Sequence, residues 1–200
     1  MGTMPLRGVI FDADGVLQHP DPGSIGPWTE AQHRAFATRL YGSWLSSDDM
    51  LDATRIEARC DALLREMAWP GDPAAYLMLW AARAVVPDPA MMDEIARLRG
   101  LGVACYLGTN QDAYWARHME TVLGYGGLFD GLFFSCRLGA AKPQSAYFEA
   151  MLAAIPHPRE SLVFFDDKAA NVEAALACGL PARVFTDMAS YQRDMAVLGA

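Results

Sequence analysis

The sequence predicts an α/β fold: a doubly wound parallel sheet with a small all-α domain inserted after the first strand. Three observations carry this. Short, continuously apolar runs alternate with segments of helical periodicity, the pattern of parallel strands joined by right-handed crossovers. The runs are apolar at every position rather than at every second one, as strands covered on both faces require. One long interval near the N-terminus breaks the alternation and shows helical spacing only.

Five runs read as strands: Leu6–Phe11, Val103–Leu107, Gly131–Ser135, Leu162–Phe165 and Arg183–Phe185. Met92, Ile95 and Leu98 form a helical stripe before the second run, and Tyr147, Phe148, Met151, Leu152 and Ile155 form another before the fourth. The Ala-rich segment from Ala169 to Cys178 stops at Gly179, a residue suited to a left-handed helix terminus. Between Val16 and Pro89 no strand is expected. There Ile56, Cys60, Leu63, Leu64 and Met67 step by threes and fours, as do Trp28, Ala31 and Ala35, and Tyr76, Leu77, Leu79 and Trp80. His19-Pro20-Asp21-Pro22-Gly23 stands before this block and Pro87-Asp88-Pro89 behind it. At about seventy residues it is too long for a simple crossover. The expected division is therefore 1–17 with 88–200 as an α/β core, and 18–87 as a helical domain hinged on the two linkers.

Composition excludes several function classes. Apolar residues make up 52% of the 200-residue chain and charged ones 20%, which supports a packed core and excludes extensive disorder. The net charge of −8, with basic residues scattered singly, speaks against nucleic acid as a partner. No apolar run reaches the ~18 residues that span a bilayer, so no membrane association is expected. Cys60, Cys105, Cys136 and Cys178 lie far apart among apolar neighbours, with no metal-binding spacing. They are expected to be buried thiols in a reducing compartment, hence a cytoplasmic protein. Their arrangement offers no structural zinc site.

The polar residues that carry chemistry follow the strands. The first run leads into Asp12-Ala13-Asp14-Gly15, the second into Gly108-Thr109-Asn110, and the fourth into Asp166-Asp167. Ligands in open α/β sheets lie outside the carboxyl ends of the strands, so these groups are expected to converge on one edge. Lys142, one of only two lysines, precedes Pro143, which suits the first turn of the helix before the fourth strand. Carboxylates gathered in this way repel one another unless a cation lies between them, and an all-oxygen set favours Mg2+. Thr109 and neighbouring N–H groups can hold phosphate oxygens, and Lys142 can supply a compensating charge.

Singly, each of these residues also fits a turn, a cap or a solvated surface; together and in this order they resemble the haloacid dehalogenase superfamily of phosphotransferases. The likeness rests on Phe11-Asp12-Ala13-Asp14-Gly15-Val16, on Leu107-Gly108-Thr109-Asn110, on Ala141-Lys142-Pro143, and on Phe164-Phe165-Asp166-Asp167 with Asn171. It implies a Rossmann-like core with a helical cap between the first and second motifs, and a Mg2+-dependent phosphomonoesterase acting through an aspartyl-phosphate. In that scheme Asp12 is the nucleophile and Asp14 the general acid and base. Thr109, the Asn110 N–H and Lys142 hold the phosphoryl oxygens. Asp12, the Asp14 carbonyl, Asp166 and Asp167 surround the metal, with Asp167 expected in direct contact and Asp166 close behind.

The resemblance also implies phosphate rather than halide chemistry, because the family's dehalogenases lack the second acidic residue that stands here as Asp14, and it speaks against phosphonate cleavage, because the relatives that do it use a cap lysine and this cap has none. The expected partner is a small phosphorylated metabolite, with sugar phosphates among the candidates, handled by a monomer or homodimer. A sugar phosphomutase and a non-catalytic phosphate-binding protein are the alternatives. Candidates for setting specificity are His19, Trp28, Arg34, Arg55 and Arg59, with Gln111 and Tyr114 from the core.

Overall fold

A computed structural model describes residues 5–19, 28–41, 53–73, 75–76, 79–80 and 86–198. The sheet consists of β1 (Gly8–Phe11), β4 (Ala104–Thr109), β5 (Gly131–Phe134), β6 (Leu162–Asp166) and β7 (Ala182–Val184), in the order β5-β4-β1-β6-β7. All its pairings are parallel. The five expected strands are therefore present, with ends displaced by one to a few residues. β4 runs on through Thr109, β6 takes in Asp166, and Ser135 opens a short helix instead of closing β5.

Unbroken apolarity reflects burial on both faces. β1 and β6 are buried at every position. Their side chains divide by parity: Val9, Phe11, Val163 and Phe165 enter one apolar cluster, while Ile10, Leu162 and Phe164 enter the other. The first cluster is covered by α3 (Pro89–Gly100), α4 (Ala113–Thr121) and α9 (Met188–Leu198). The second is covered by α7 (Ser145–Ala154) and α8 (Ala169–Ala177). Short helices α5 (Tyr125–Leu128) and α6 (Ser135–Leu138) flank β5. Helix α8 ends as its composition requires, with Gly179 at φ 75° just beyond it.

Two expectations need correction. On α3 the buried stripe is Met91, Ile95 and Leu98, with Met92 half-buried beside it. Asp88 fixes that register, because its carboxylate accepts the Ala90 N–H at 2.8 Å and starts the helix at Pro89. The interval expected to lack strands holds two: β2 (Gln18–His19) and β3 (Val86–Pro87) pair antiparallel. Two-residue strands are too short to show a period. The bond from the Asp88 N–H to the Leu17 carbonyl, 2.8 Å, continues this ribbon. The rear Pro87-Asp88-Pro89 punctuation is thus a strand end and a helix cap rather than a free linker. Pro20-Asp21-Pro22-Gly23 of the front linker, and Leu77 of the third periodic group, lie outside the described residues.

Between β2 and β3 lie α1 (Glu30–Tyr41) and α2 (Ala53–Glu66), and Tyr76 and Trp80 are helical as well. Trp28, Phe36, Trp69 and Trp80 pack edge-on or tilted around Tyr76, with ring centroids 4.7–6.0 Å from its own. The apolar cluster is continuous across the sheet junction, where the Trp80 and Trp115 rings meet at 5.4 Å. Cys60 and Cys105 are buried, Cys136 and Cys178 only half so, and all four thiols are free. Among the described residues no helix is long and apolar enough to cross a membrane.

Candidate active site

β1 lies between β4 and β6 at the point where chain order reverses, the position at which open α/β sheets hold ligands. Asp12 follows β1 directly, and its N–H donates to the Phe165 carbonyl at 2.9 Å. Its side chain is folded onto the loop, accepting the Ala13 N–H at 2.7 Å. On the neighbouring strand Thr109 is buried at the end of β4, and its side chain favours the ionised form of the Asp12 carboxyl.

Lys142 is the hub. Its ammonium lies 2.8 Å from Asp12 Oδ1 and 2.6 Å from Asp166 Oδ2, and it donates to the Gly108 carbonyl at 2.9 Å. All three side chains are almost wholly buried. The lysine does not open α7 as expected, since that helix starts at Ser145. Asn110 determines its position instead. The Asn110 Oδ1 accepts the Lys142 N–H at 2.8 Å, and Nδ2 donates to the Lys142 carbonyl at 2.9 Å. These reciprocal bonds pin the lysine loop to the end of β4.

Asp166 is saturated with donors. Besides the ammonium, Asn171 Nδ2 reaches both of its oxygens, at 3.0 and 2.9 Å, and the Lys168 N–H donates at 2.8 Å. Asp167 is exposed, its carboxylate against Gly15, where an added Cβ would come within 2.8 Å of Oδ2. Oxygens of Asp12, Asp166 and Asp167 lie within 4.8 Å of one another. Burial, reinforced by the Asp166 charge and opposed by Lys142, pushes the Asp12 carboxyl up to about 6. Asp167, exposed at its outer side, is raised as well, first by the partial desolvation of its carboxyl. Three carboxylates facing one ammonium leave surplus negative charge, and the all-oxygen donor set fits Mg2+.

The Asp14 carboxylate lies outside this trio. Gln18 Nε2 donates to its Oδ1 and Gln111 Nε2 to its Oδ2, each at 2.7 Å. Gln111, a candidate for specificity, thus serves Asp14. Gln18 was missed in the sequence, where its only signal is a polar side chain in an apolar flank. Trp28 is a packing residue, Arg34 pairs with Glu30 on the surface of α1, and His19 lies 3.7 Å from Asp88 on the ribbon. Arg59 donates to the Arg39 carbonyl at 3.1 Å, Arg55 is exposed, and Tyr114 packs half-buried against Trp115.

Comparison with known proteins places these observations among relatives. The model of the haloacid dehalogenase-like hydrolases matches residues 6–179. The sesquiterpene phosphatase AstK of Aspergillus oryzae is 32% identical over 186 residues, covering 91% of each chain. Phosphatase MT3486 of Mycobacterium tuberculosis is 29% identical, over 98% of this chain and 97% of its own. Among solved structures, the magnesium complex of the HAD family enzyme bt-2542 from Bacteroides thetaiotaomicron has a TM-score of 0.73 at 16% identity, covering 95% of this chain and 100% of its own. At that identity the likeness is one of fold.

Proposed function

The chain belongs to the haloacid dehalogenase-like hydrolases, and from that premise we propose that it is a Mg2+-dependent phosphomonoesterase working through an aspartyl-phosphate on Asp12. The observation that carries the proposal is the buried Lys142 ammonium, held between Asp12 and Asp166 at the carboxyl edge of the sheet. A lysine that bridges the nucleophile to a second carboxylate keeps Asp12 both fixed and available.

In the proposed reaction an Asp12 oxygen attacks phosphorus and the ester oxygen departs with a proton from Asp14. Water then attacks the aspartyl-phosphate, giving its proton to Asp14 and releasing inorganic phosphate and free Asp12. Thr109, the N–H of Asn110 and Lys142 hold the phosphoryl oxygens throughout. Asp12 and Asp167, with the Asp14 carbonyl, would hold Mg2+ and Asp166 would stand close behind them; the ion would supply positive charge to stabilise the phosphoryl oxygens.

Residues 18–87 are proposed as the cap that selects the alcohol, rooted in the β2–β3 ribbon. The motif spacing favours a small metabolite such as a sugar phosphate. The relation to a sesquiterpene phosphatase favours an apolar isoprenoid alcohol as a second reading. The test is phosphate release from 4-nitrophenyl phosphate, a panel of sugar phosphates and a panel of prenyl phosphates at saturating Mg2+. Activity abolished by EDTA and by Asp12→Asn is expected; full turnover by Asp12→Asn refutes the mechanism.

A further inference from the structure

We propose that Gln18 and Gln111 form a two-sided amide clamp that positions Asp14 for proton transfer, with Tyr125 setting the orientation of Gln18; this rests on the phosphatase reading above. An ionised carboxylate only accepts hydrogen bonds, so each oxygen needs a donor. Both have one, at 2.7 Å, and the donors come from different elements: Gln18 from β2 and Gln111 from the loop after β4. A side chain with two torsions, bound at both oxygens from two sides, has little rotational freedom left.

Each donor is itself fixed. The Tyr125 hydroxyl, fully buried on α5, donates to Gln18 Oε1 at 3.1 Å, which turns the Nε2 end toward Asp14. The backbone around Gln18 closes on the same loop, with the Gly15 N–H on the Gln18 carbonyl at 3.0 Å and the Gln18 N–H on the Ala13 carbonyl at 3.1 Å. Gln111 is anchored by Ser135, whose Oγ accepts the Gln111 N–H at 3.0 Å and donates to its carbonyl at 3.1 Å.

Burial makes the arrangement informative. Gln18 is 1% and Gln111 8% exposed, so both amides are withdrawn from water although Asp14 itself is exposed. Apolar side chains of similar volume would fill those positions without the desolvation cost of an amide. Two buried amides directed at one exposed carboxylate therefore serve that carboxylate. A displacement of about 1 Å at a proton-transfer group costs about a hundredfold in rate, and proton transfer matters most when the leaving alcohol is a poor one.

The experiment compares Gln18→Met, Gln111→Met and the gentler Tyr125→Phe with wild type, on an alkyl phosphate and on 4-nitrophenyl phosphate, whose leaving group needs no acid. Each Gln→Met change is expected to lower kcat for the alkyl ester about tenfold or more, with KM within about twofold and the nitrophenol burst retained. Tyr125→Phe should give a smaller loss with the same selectivity. Added to Asp14→Ala, Gln111→Met should change residual turnover by less than about twofold, because there is no carboxylate left to position. Equal losses of kcat/KM on both esters, which reports only the acid-assisted first step, losses that add to Asp14→Ala, or wild-type kcat for the alkyl ester in the variants would overturn the clamp. An active wild type with unaffected variants fails the clamp alone. A wild type that releases phosphate from neither ester fails the phosphatase reading and the clamp with it.

Discussion

Replacing Lys142 by Met tests the electrostatic centre of the site. The ammonium is shared by Asp12 at 2.8 Å and Asp166 at 2.6 Å, and all three side chains are at most 5% exposed. Methionine keeps the apolar stem, so little is lost in packing, but two buried carboxylates then face each other without a cation. Removing one partner of a buried ion pair costs about 3–5 kcal/mol, mostly because the remaining charge is left desolvated.

The pH dependence has a definite sign. The Asp12 carboxyl, raised by burial from its ordinary 3.8 to about 6, holds its proton more tightly folded than unfolded. Its contribution to stability is therefore full below 3.8 and is lost as pH rises through about 6. Without Lys142, which opposes that rise, the window moves upward. Urea unfolding in EDTA, followed by the fluorescence of the five tryptophans, should show the variant about 3–5 kcal/mol less stable at pH 8. The deficit should shrink at pH 5.5, where Asp12 can take up a proton. Mg2+ at a hundred times its Kd stabilises either protein by about 2.7 kcal/mol, and the variant, with no ammonium in competition, should bind it more tightly. A deficit below about 1 kcal/mol at pH 8, or one indifferent to both pH and Mg2+, would refute this account.

Three further outcomes are expected. Asn171→Leu removes the amide that reaches both Asp166 oxygens, and should weaken Mg2+ binding by about 10–100-fold in calorimetry. Gly15→Ala places a methyl group at φ +85° and 2.8 Å from Asp167 Oδ2; a left-handed alanine costs about 1–2 kcal/mol, and the displaced carboxylate should raise the Mg2+ concentration needed for half-maximal activity. With Asp12 titrating at about 6 in the free protein, Mg2+ binding should release close to one proton at pH 5 and almost none at pH 8, read from calorimetry in buffers of different ionisation enthalpy; proton release independent of pH would contradict it.

Much of this molecule could be read from local pattern. A strand buried on both faces must be apolar at successive positions, so Val9, Ile10 and Phe11 declare β1 although they enter two different clusters. A polar residue just after such a run has only the sheet edge to occupy, which is why sequence alone groups Asp12, Thr109 and Asp166. Helix stops such as Gly179 are equally local.

Other features depend on residues far apart in the chain meeting in space. Gln111 and Asp14 are 97 positions apart, and Tyr125 and Gln18 are 107 apart. No periodicity links such pairs, and a glutamine in an apolar flank has the same local pattern whether it fills a core or holds a carboxylate. The β2–β3 ribbon has no local signal for the same reason, since two residues are too few to show alternation and their partners lie across α1 and α2. Lys142 shows the division within one residue. Its place in the chain marked it as the counter-charge, but its reach to both Asp12 and Asp166 comes from Asn110 gripping its backbone across the end of β4. Sequence determined which elements form and which edge carries the charges, because those follow from burial and local backbone preference. Tertiary packing decided which donor meets which oxygen, because hydrogen-bond geometry exists only after distant segments have docked.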